Sequence, residues 1–296
     1  MPSETATTAL TPAHIILIIV TAAVCLAGLI LLWRWELSPT ARRKPHYFRV
    51  RHIAAPWPYF VVACAFVLIT AFFAYSLLAF CCKRLWPELL QLPGYAGMLF
   101  MAALDIGAIA AVLHARRFLH ALENMPRIAI LARIHPRPAP AITLPQAILA
   151  GIGTFCVARA LFVPLAFAWD RLLELLRVAS GEQDLIELFR NETSATRVAV
   201  MIVIVVVIAP IAEEMVFRGG LYGYLRTRVH RQFALVLPSL VFALLHGNIQ
   251  VFPLLFLFGV ILSIAYERTG RLIVPIIAHA LLNASTIVLI LLGLSG

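Results

Sequence analysis

Eight long apolar stretches, separated by short polar connections, run through this chain of 296 residues. About 20 consecutive apolar residues are enough for a helix to cross the hydrocarbon core of a bilayer. Because that core offers the backbone no hydrogen-bond partners, such stretches form helices. They lie at residues 13–33, 57–80, 95–114, 145–169, 196–217, 232–249, 250–266 and 272–292. The sequence therefore predicts an all-α fold, a polytopic transmembrane helical bundle of about eight membrane segments that is embedded in a lipid bilayer.

The charged residues favour a membrane protein over a nucleic-acid-binding protein. Only 13% of the residues are charged, whereas a soluble domain averages about 25%. The net charge of +10 could indicate a nucleic-acid partner, but most of the 24 Lys and Arg lie in alternate connections between the apolar stretches. This alternation is the positive-inside pattern, which places those connections in the cytoplasm. We therefore predict no nucleic-acid partner and a multi-pass protein with both termini outside.

A proline-rich connection divides the chain into two predicted regions. Residues 1–144 hold three N-terminal spans and a cytoplasmic linker, and residues 145–296 hold the remaining segments. The sixth segment poses a problem of depth. If it crosses from residue 232, His246 lies about 20 Å from the cytoplasmic edge, whereas Glu213 lies much closer to that edge. A hairpin of the sixth and seventh segments that only partly crosses the membrane removes this conflict.

Two adjacent carboxylates and an arginine close the fifth apolar segment, where ionisable groups are costly. On a helix Glu213 and Glu214 point about 100° apart, so they cannot share one role. Glu214 and Arg218 are four residues apart, face each other and are predicted to pair. Glu213 is then free to face a cavity and to act as a general base or acid. The alternative is that these charges end a membrane helix at the lipid headgroups.

Two further apolar segments carry polar side chains. His246 lies in the sixth segment, and His279 and Asn283 are four residues apart on one face of the last segment. The single histidine and the histidine–asparagine pair each have a simpler interpretation. A single histidine can be a buried residue whose hydrogen bonds are satisfied, and the pair can form hydrogen bonds between helices. Only the combination of all three sets points to one buried site.

Together these residues form a pattern that resembles a known family. The resemblance rests on three motifs, which are Glu213-Glu214-x-x-x-Arg218, Phe242-x-x-x-His246 and His279-x-x-x-Asn283. Their order and spacing are similar to those of the CPBP family. Its members are CAAX-type intramembrane endopeptidases related to the Ras-converting enzyme and to bacteriocin-processing and immunity proteins. The resemblance covers about residues 196–292, so the region 145–296 is expected to be the catalytic core.

The resemblance implies a glutamic-type endopeptidase whose site lies inside the membrane. Glu213 then activates water for attack on a peptide bond, with help from His246. His279 and Asn283 stabilise the oxyanion, as preorganised donors do. The supporting residues are Glu214 and Arg218. The implied substrate is a membrane-anchored or lipidated protein that is cut in a CAAX-like or other C-terminal tail.

A metal-dependent alternative uses the same residues. One carboxylate and two histidines, here Glu213, His246 and His279, are the ligand count of a catalytic zinc site with an open position. The fourth polar residue, Asn283, is a better hydrogen-bond donor than a zinc ligand. The chain also contains no HExxH string. These two observations favour a mechanism without a cofactor over one with zinc.

Other functions compete with proteolysis. Some CPBP-type proteins are non-catalytic immunity or scaffold proteins, and buried ionisable groups also serve transporters, although no inverted repeat is visible here. Asp105 and Arg159, in the third and fourth spans, are predicted to pair with each other. The alternative is that Arg159 binds the C-terminal carboxylate of a substrate. The Ala- and Arg-rich composition and the short motifs favour the inner membrane of a bacterial cell.

Overall fold

The computed structural model of the chain describes residues 12–43, 49–50, 53, 55–123, 125, 139–178 and 184–293. Within these ranges the chain forms helices and connecting loops without a β-strand. The predicted all-α class is therefore confirmed. Most of the proline-rich linker and the N-terminal tail lie outside the described residues, so their predicted location is not tested.

The helices are labelled in chain order. The first four are α1 (Pro12–Leu32), α2 (Trp57–Leu85), α3 (Pro93–Glu123) and α4 (Leu144–Leu175). They are followed by the short α5 (Asp184–Asn191), the long α6 (Ala195–Leu225), α7 (Arg231–Leu245), α8 (Phe252–Thr269) and α9 (Ile273–Leu291). Shorter helical turns lie at Trp33–Leu37, Pro39–Arg43 and Pro87–Gln91.

Among the described residues, seven helices are long and apolar enough to cross a membrane, namely α1 to α4, α6, α8 and α9. The exception among the eight predicted segments is α7, which has 15 residues. It is therefore about 22 Å long, shorter than the roughly 30 Å hydrocarbon core. The predicted polytopic bundle of about eight segments is confirmed, and its sixth segment is the short limb of an α7–α8 hairpin.

Local sequence signals set the ends of the helices that frame the site. Thr143 and Gln146 form a capping box at the start of α4, in which each side chain accepts a backbone N–H of the first turn. The end of α8 is fixed by Gly270, whose φ of +65° suits glycine. A Cβ atom at this position would lie 2.7 Å from the carbonyl oxygen of Arg49. The chain therefore leaves α8 sharply and enters α9 within a few residues.

Helix α4 holds the second half of the bundle together, because it packs against α1, α8 and α9. Gly151 permits the approach to α9, since a Cβ atom there would lie 3.1 Å from the carbonyl oxygen of Val274. Beside this contact, Phe162, Phe242 and Phe258 form a buried aromatic core between α4, α7 and α8. This core places α6, α7, α8 and α9 around one point.

Glu267, near the end of α8, joins the ends of three helices. Its buried carboxylate accepts a hydrogen bond from Tyr222 of α6 at 2.9 Å. It also accepts from Arg226, just after α6, at 2.7 Å and from Arg231, at the start of α7, at 2.9 Å. Hydrogen bonds between charged groups are roughly twice as strong as neutral ones. The start of α7 is thereby held against both α6 and α8.

Candidate active site

The two glutamates lie in a part of α6 that is not a regular α-helix. The backbone widens to π-helical turns at Ile204–Ile208 and Met215–Tyr222, and the α-helical stretch Ala209–Glu214 lies between them. Proline is one cause, because Pro210 has no N–H to donate and its ring crowds the preceding turn. Such π-turns occur frequently at functional sites. Here they set the direction in which Glu213 and Glu214 leave the helix.

Glu214 and Arg218 form the predicted pair, and both are buried. The Nη1 atom of Arg218 donates to Oε1 of Glu214 at 2.8 Å, and its Nη2 atom donates to the carbonyl oxygen of Gly259 in α8 at 3.2 Å. The guanidinium also lies over the ring of Phe242, with its Cζ atom 4.8 Å from the ring centre, a cation–π distance. Glu214 is therefore bonded to an arginine that is itself held by contacts with α7 and α8.

His279 of α9 lies between the two carboxylates. Its Nδ1 atom is 2.9 Å from Oε1 of Glu214, and its Nε2 atom is 3.7 Å from Oε2 of Glu213. The tautomer of His279 with its proton on Nδ1 donates this hydrogen bond to Oε1. The second ring nitrogen is then directed towards Glu213. One imidazole thus links the fixed carboxylate to the second one.

Glu213 differs from Glu214 in two respects. Its side chain is 25% exposed, whereas that of Glu214 is fully buried. Oε1 of Glu214 is bonded by Arg218 and His279, whereas no described residue donates a hydrogen bond to the Glu213 carboxylate. Oε2 is buried without a partner in both glutamates, so Glu213 is the one whose carboxylate as a whole is available to a reacting group. The expectation that Glu213 is the free carboxylate agrees with this geometry.

Asn283 contacts the backbone of α6. Its Nδ2 atom donates to the carbonyl oxygen of Val205 at 2.8 Å. In the π-turn the N–H of Ala209 donates to the carbonyl of Ile204, so the next carbonyl, that of Val205, faces the nitrogen of Pro210. Since proline has no hydrogen to donate, Asn283 supplies the missing donor. The amide of Asn283 has a second N–H, and its predicted role at an oxyanion stays a prediction.

His246 lies at the edge of the site. It caps the C-terminal end of α7, is exposed, and its Nδ1 atom is 2.8 Å from the carbonyl oxygen of Phe242. The Phe242 ring lies 4.8 Å from the His246 ring and 5.9 Å from the His279 ring. Within the described part of the chain, no hydrogen bond or ion pair joins His246 to Glu213. Catalytic contacts often tighten only when substrate binds, so its predicted assisting role stays a prediction.

The proposed metal ligands do not converge in this structure. Across the described residues, no three His, Cys, Asp or Glu side chains are placed to hold one metal ion. His246 is directed to a backbone carbonyl, and His279 bonds Glu214. The set Glu213, His246 and His279 therefore does not fit a zinc ion as placed, and we derive no step that uses one.

Asp105 and Arg159 do not form the predicted ion pair. Both residues lie in the described part of the chain and are half-buried, and the structure shows no ion pair between them. Their helices explain this, because α3 packs against α6 whereas α4 packs against α1, α8 and α9. Asp105 thus lies on the helix that faces the glutamate-bearing part of α6.

One contributor to the site was not expected from the sequence, namely Gly259, which provides the second acceptor for Arg218. Phe242 belongs to the second motif, and its ring lies close to the rings of both His246 and His279. Gly259 also allows close packing of α8 on α7, because a Cβ atom there would lie 2.7 Å from Cβ of Ser239. A glycine within a long apolar helix is a signal for such an approach, but it does not indicate which carbonyl becomes an acceptor.

Comparisons with known proteins concern this same part of the chain. Residues 195–285 match the family described as Type II CAAX prenyl endopeptidase Rce1-like. The membrane-embedded CAAX protease MroQ of Staphylococcus aureus (strain USA300) is 38% identical over 105 residues, 33% of this chain and 42% of that protein. The putative membrane peptidase YdiL of Bacillus subtilis (strain 168) is 31% identical over 92 residues, 31% of this chain and 38% of that protein.

An uncharacterised 24.3 kDa protein of Escherichia coli is 28% identical over 133 residues, 43% of this chain and 54% of that protein. In each case the matched region covers less than two thirds of the relative. No solved structure matches the chain. The family-model match, residues 195–285, runs from the start of α6 into α9, where the three motifs lie.

Proposed function

We propose that this chain, whose residues 195–285 match the Rce1-like family model, is a CPBP-type intramembrane endopeptidase of the glutamic type. The observation that carries the proposal is the pair of unlike carboxylates on either side of His279. Glu214 is fully buried and is fixed through Oε1 by Arg218 and His279, whereas Glu213 is 25% exposed and no described residue donates a hydrogen bond to it. One group is thus structural, and the other is available for chemistry.

The proposed reaction is hydrolysis of a peptide bond. Glu213 takes a proton from water while the water oxygen bonds to the carbonyl carbon of the substrate, and it later returns a proton to the leaving nitrogen. The imidazole of His279 lies beside Glu213, and its hydrogen bond to Glu214 fixes the orientation of the ring. His246 assists once substrate has drawn it inward, and His279 and Asn283 stabilise the oxyanion.

We further propose a membrane-anchored or lipidated protein substrate that is cut near its C-terminus. The site lies in helices of membrane-spanning length, so a substrate reaches it from the bilayer or its surface. The basic connections and the bacterial relatives support the inner membrane of a bacterial cell, with both termini outside. Labelling of single cysteines placed at either end, with an impermeant reagent on intact cells, tests the orientation.

The test of the activity uses purified protein in liposomes and a panel of prenylated C-terminal peptides and membrane-anchored test substrates. Glu213→Gln is expected to lower the cleavage rate by about 10²- to 10⁴-fold, the range for loss of a general base. His246→Ala is expected to lower it as well. The control is Glu174→Gln, an exposed carboxylate paired with Arg171, which should leave the rate unchanged.

Each outcome separates one alternative. Full activity in Glu213→Gln would contradict the proposed mechanism. Activity that is lost to a chelator and restored by zinc would assign the same residues to a metal site. A partner that binds wild type and Glu213→Gln equally, without cleavage, would support the non-catalytic scaffold.

A further inference from the structure

A second feature of the fold lies apart from the glutamates. A cavity of about 620 Å³ opens between α1, α4 and α8. Its volume lies in the roughly 300–1,000 Å³ range of ligand pockets. None of the residues that line it belongs to the three motifs. The catalytic proposal therefore gives this cavity no role.

The cavity is polar at one end and apolar along the rest of its length. Its deep walls come from α4 and α8 and include Val157, Leu161 and Leu257. Its mouth is lined by Arg34, Glu36, Arg49, Arg268 and Thr269.

The dimensions of the cavity match one leaflet of a bilayer. Leu257 and Arg268 both line it from α8, and their separation corresponds to about 16 Å along a helix. Half of the hydrocarbon core is about 15 Å. The cavity therefore has the length and polarity of a single amphiphilic chain.

The mouth carries excess positive charge. Arg268 donates to Oε2 of Glu36 at 2.6 Å, so these two charges offset each other. Arg49 donates to the carbonyl oxygen of Pro140. The side chain of Arg34 also lines the mouth and is exposed, so it adds a positive charge beside the Arg268–Glu36 pair, and the mouth favours an anion.

We propose that this cavity binds an anionic phospholipid, with the phosphate at the arginine-lined mouth and one acyl chain along the apolar walls. Basic pockets between membrane helices on the cytoplasmic side are known to hold anionic headgroups. The connections that contain Arg34 and Arg268 are those that the positive-inside pattern places in the cytoplasm. The lipid is therefore one of the inner leaflet, and its binding does not depend on proteolysis.

Two neighbouring tryptophans make the proposal testable. Trp35 lines the cavity, whereas Trp33 does not, and both side chains are exposed. Two variants are made, each keeping one of these tryptophans and replacing the other four with Phe. Each is reconstituted in phosphatidylcholine liposomes that contain a small fraction of either phosphatidylglycerol or phosphatidylcholine with brominated chains. Quenching of tryptophan fluorescence then reports contact with the brominated chain.

We expect brominated phosphatidylglycerol to quench Trp35 more than brominated phosphatidylcholine does, and the two lipids to quench Trp33 equally. Arg34→Gln is expected to reduce the preference at Trp35 about fivefold, the share of one arginine near the membrane surface. The matched control is Arg117→Gln, an exposed arginine of α3 away from the cavity, which should leave the preference unchanged. Circular dichroism confirms that each variant is folded.

Three results would overturn the proposal. The first is equal quenching of Trp35 by the two lipids. The second is the same phosphatidylglycerol preference at Trp33, which would indicate a general attraction to the basic surface. The third is protection of Trp35 from both lipids, which would mean that protein, such as the membrane segment of a substrate, fills the cavity.

Discussion

Breaking the buried ion pair is the most direct test of how the site is held. Arg218 is 1% exposed and Glu214 is fully buried, with 2.8 Å between the bonded atoms. Removing one partner of such a pair costs about 3–5 kcal/mol, because it leaves an uncompensated buried charge. Removing both charges costs only the hydrogen bonds, about 1–2 kcal/mol. The double variant should therefore be more stable than either single variant.

The structure also ranks the two single variants. In Arg218→Met, Glu214 keeps its hydrogen bond to His279, which compensates part of the lost contact. This places the loss of unfolding free energy at about 3 kcal/mol, the lower end of the range. In Glu214→Gln, Arg218 keeps its charge but loses the carboxylate that offsets it, while its hydrogen bond to the Gly259 carbonyl remains. This places the loss of unfolding free energy at about 4–5 kcal/mol, the upper end of the range.

The assay is reversible unfolding by sodium dodecyl sulfate in mixed micelles, followed by circular dichroism, for wild type, both single variants and the double variant. The exposed pair of Arg171 and Glu174 provides the control. Its bonded atoms are 2.7 Å apart, close to the 2.8 Å of the buried pair, but its side chains are 63% and 64% exposed. Breaking that pair should change the free energy of unfolding by less than about 1 kcal/mol. A double variant whose loss equals the sum of the single losses would refute the reasoning.

Two further predictions concern backbone contacts. Asn283→Leu is expected to lower the free energy of unfolding by about 1–2 kcal/mol, because the Val205 carbonyl loses its donor. Adding Pro210→Ala should restore part of that stability, because the alanine supplies an N–H for the same carbonyl. A double variant that is stable but inactive in the cleavage assay would indicate that Asn283 acts at the oxyanion. A double variant that regains activity would indicate that Asn283 only supports the backbone of α6. Gly259→Val is expected to lower the melting temperature, since the new side chain meets α7 at 2.7 Å, whereas Gly97→Ala, with no atom within 4 Å, should not.

Much of the site is predictable because it depends on spacing along single helices. The i,i+4 relation of Glu214 and Arg218 predicted their pairing, and the structure confirms it. It also left Glu213 as the separate carboxylate, which agrees with its partial exposure. Segment number and the all-α class followed from length and hydropathy alone, since a bilayer leaves few folds available.

The remaining features depend on contacts between helices, which periodicity does not encode. His279 and Asn283 share one face of α9, yet one bonds a carboxylate and the other a backbone carbonyl. The second role depends on the π-turn before Pro210, which spacing does not reveal. The pairing expected for Asp105 and Arg159 was wrong, because two charges in neighbouring spans need not lie on facing sides.

The division of the site among helices has a consequence for how the protein is made. Glu213, Glu214 and Arg218 enter the membrane together on α6, and the i,i+4 bond already offsets two of their charges within that one helix. His279 arrives on α9, two membrane helices later, and chains are synthesised from the N-terminus. Until α9 has docked, the carboxylates lack the imidazole that links them. On the proposed mechanism, competence for chemistry is therefore acquired late in biogenesis, once α9 has docked.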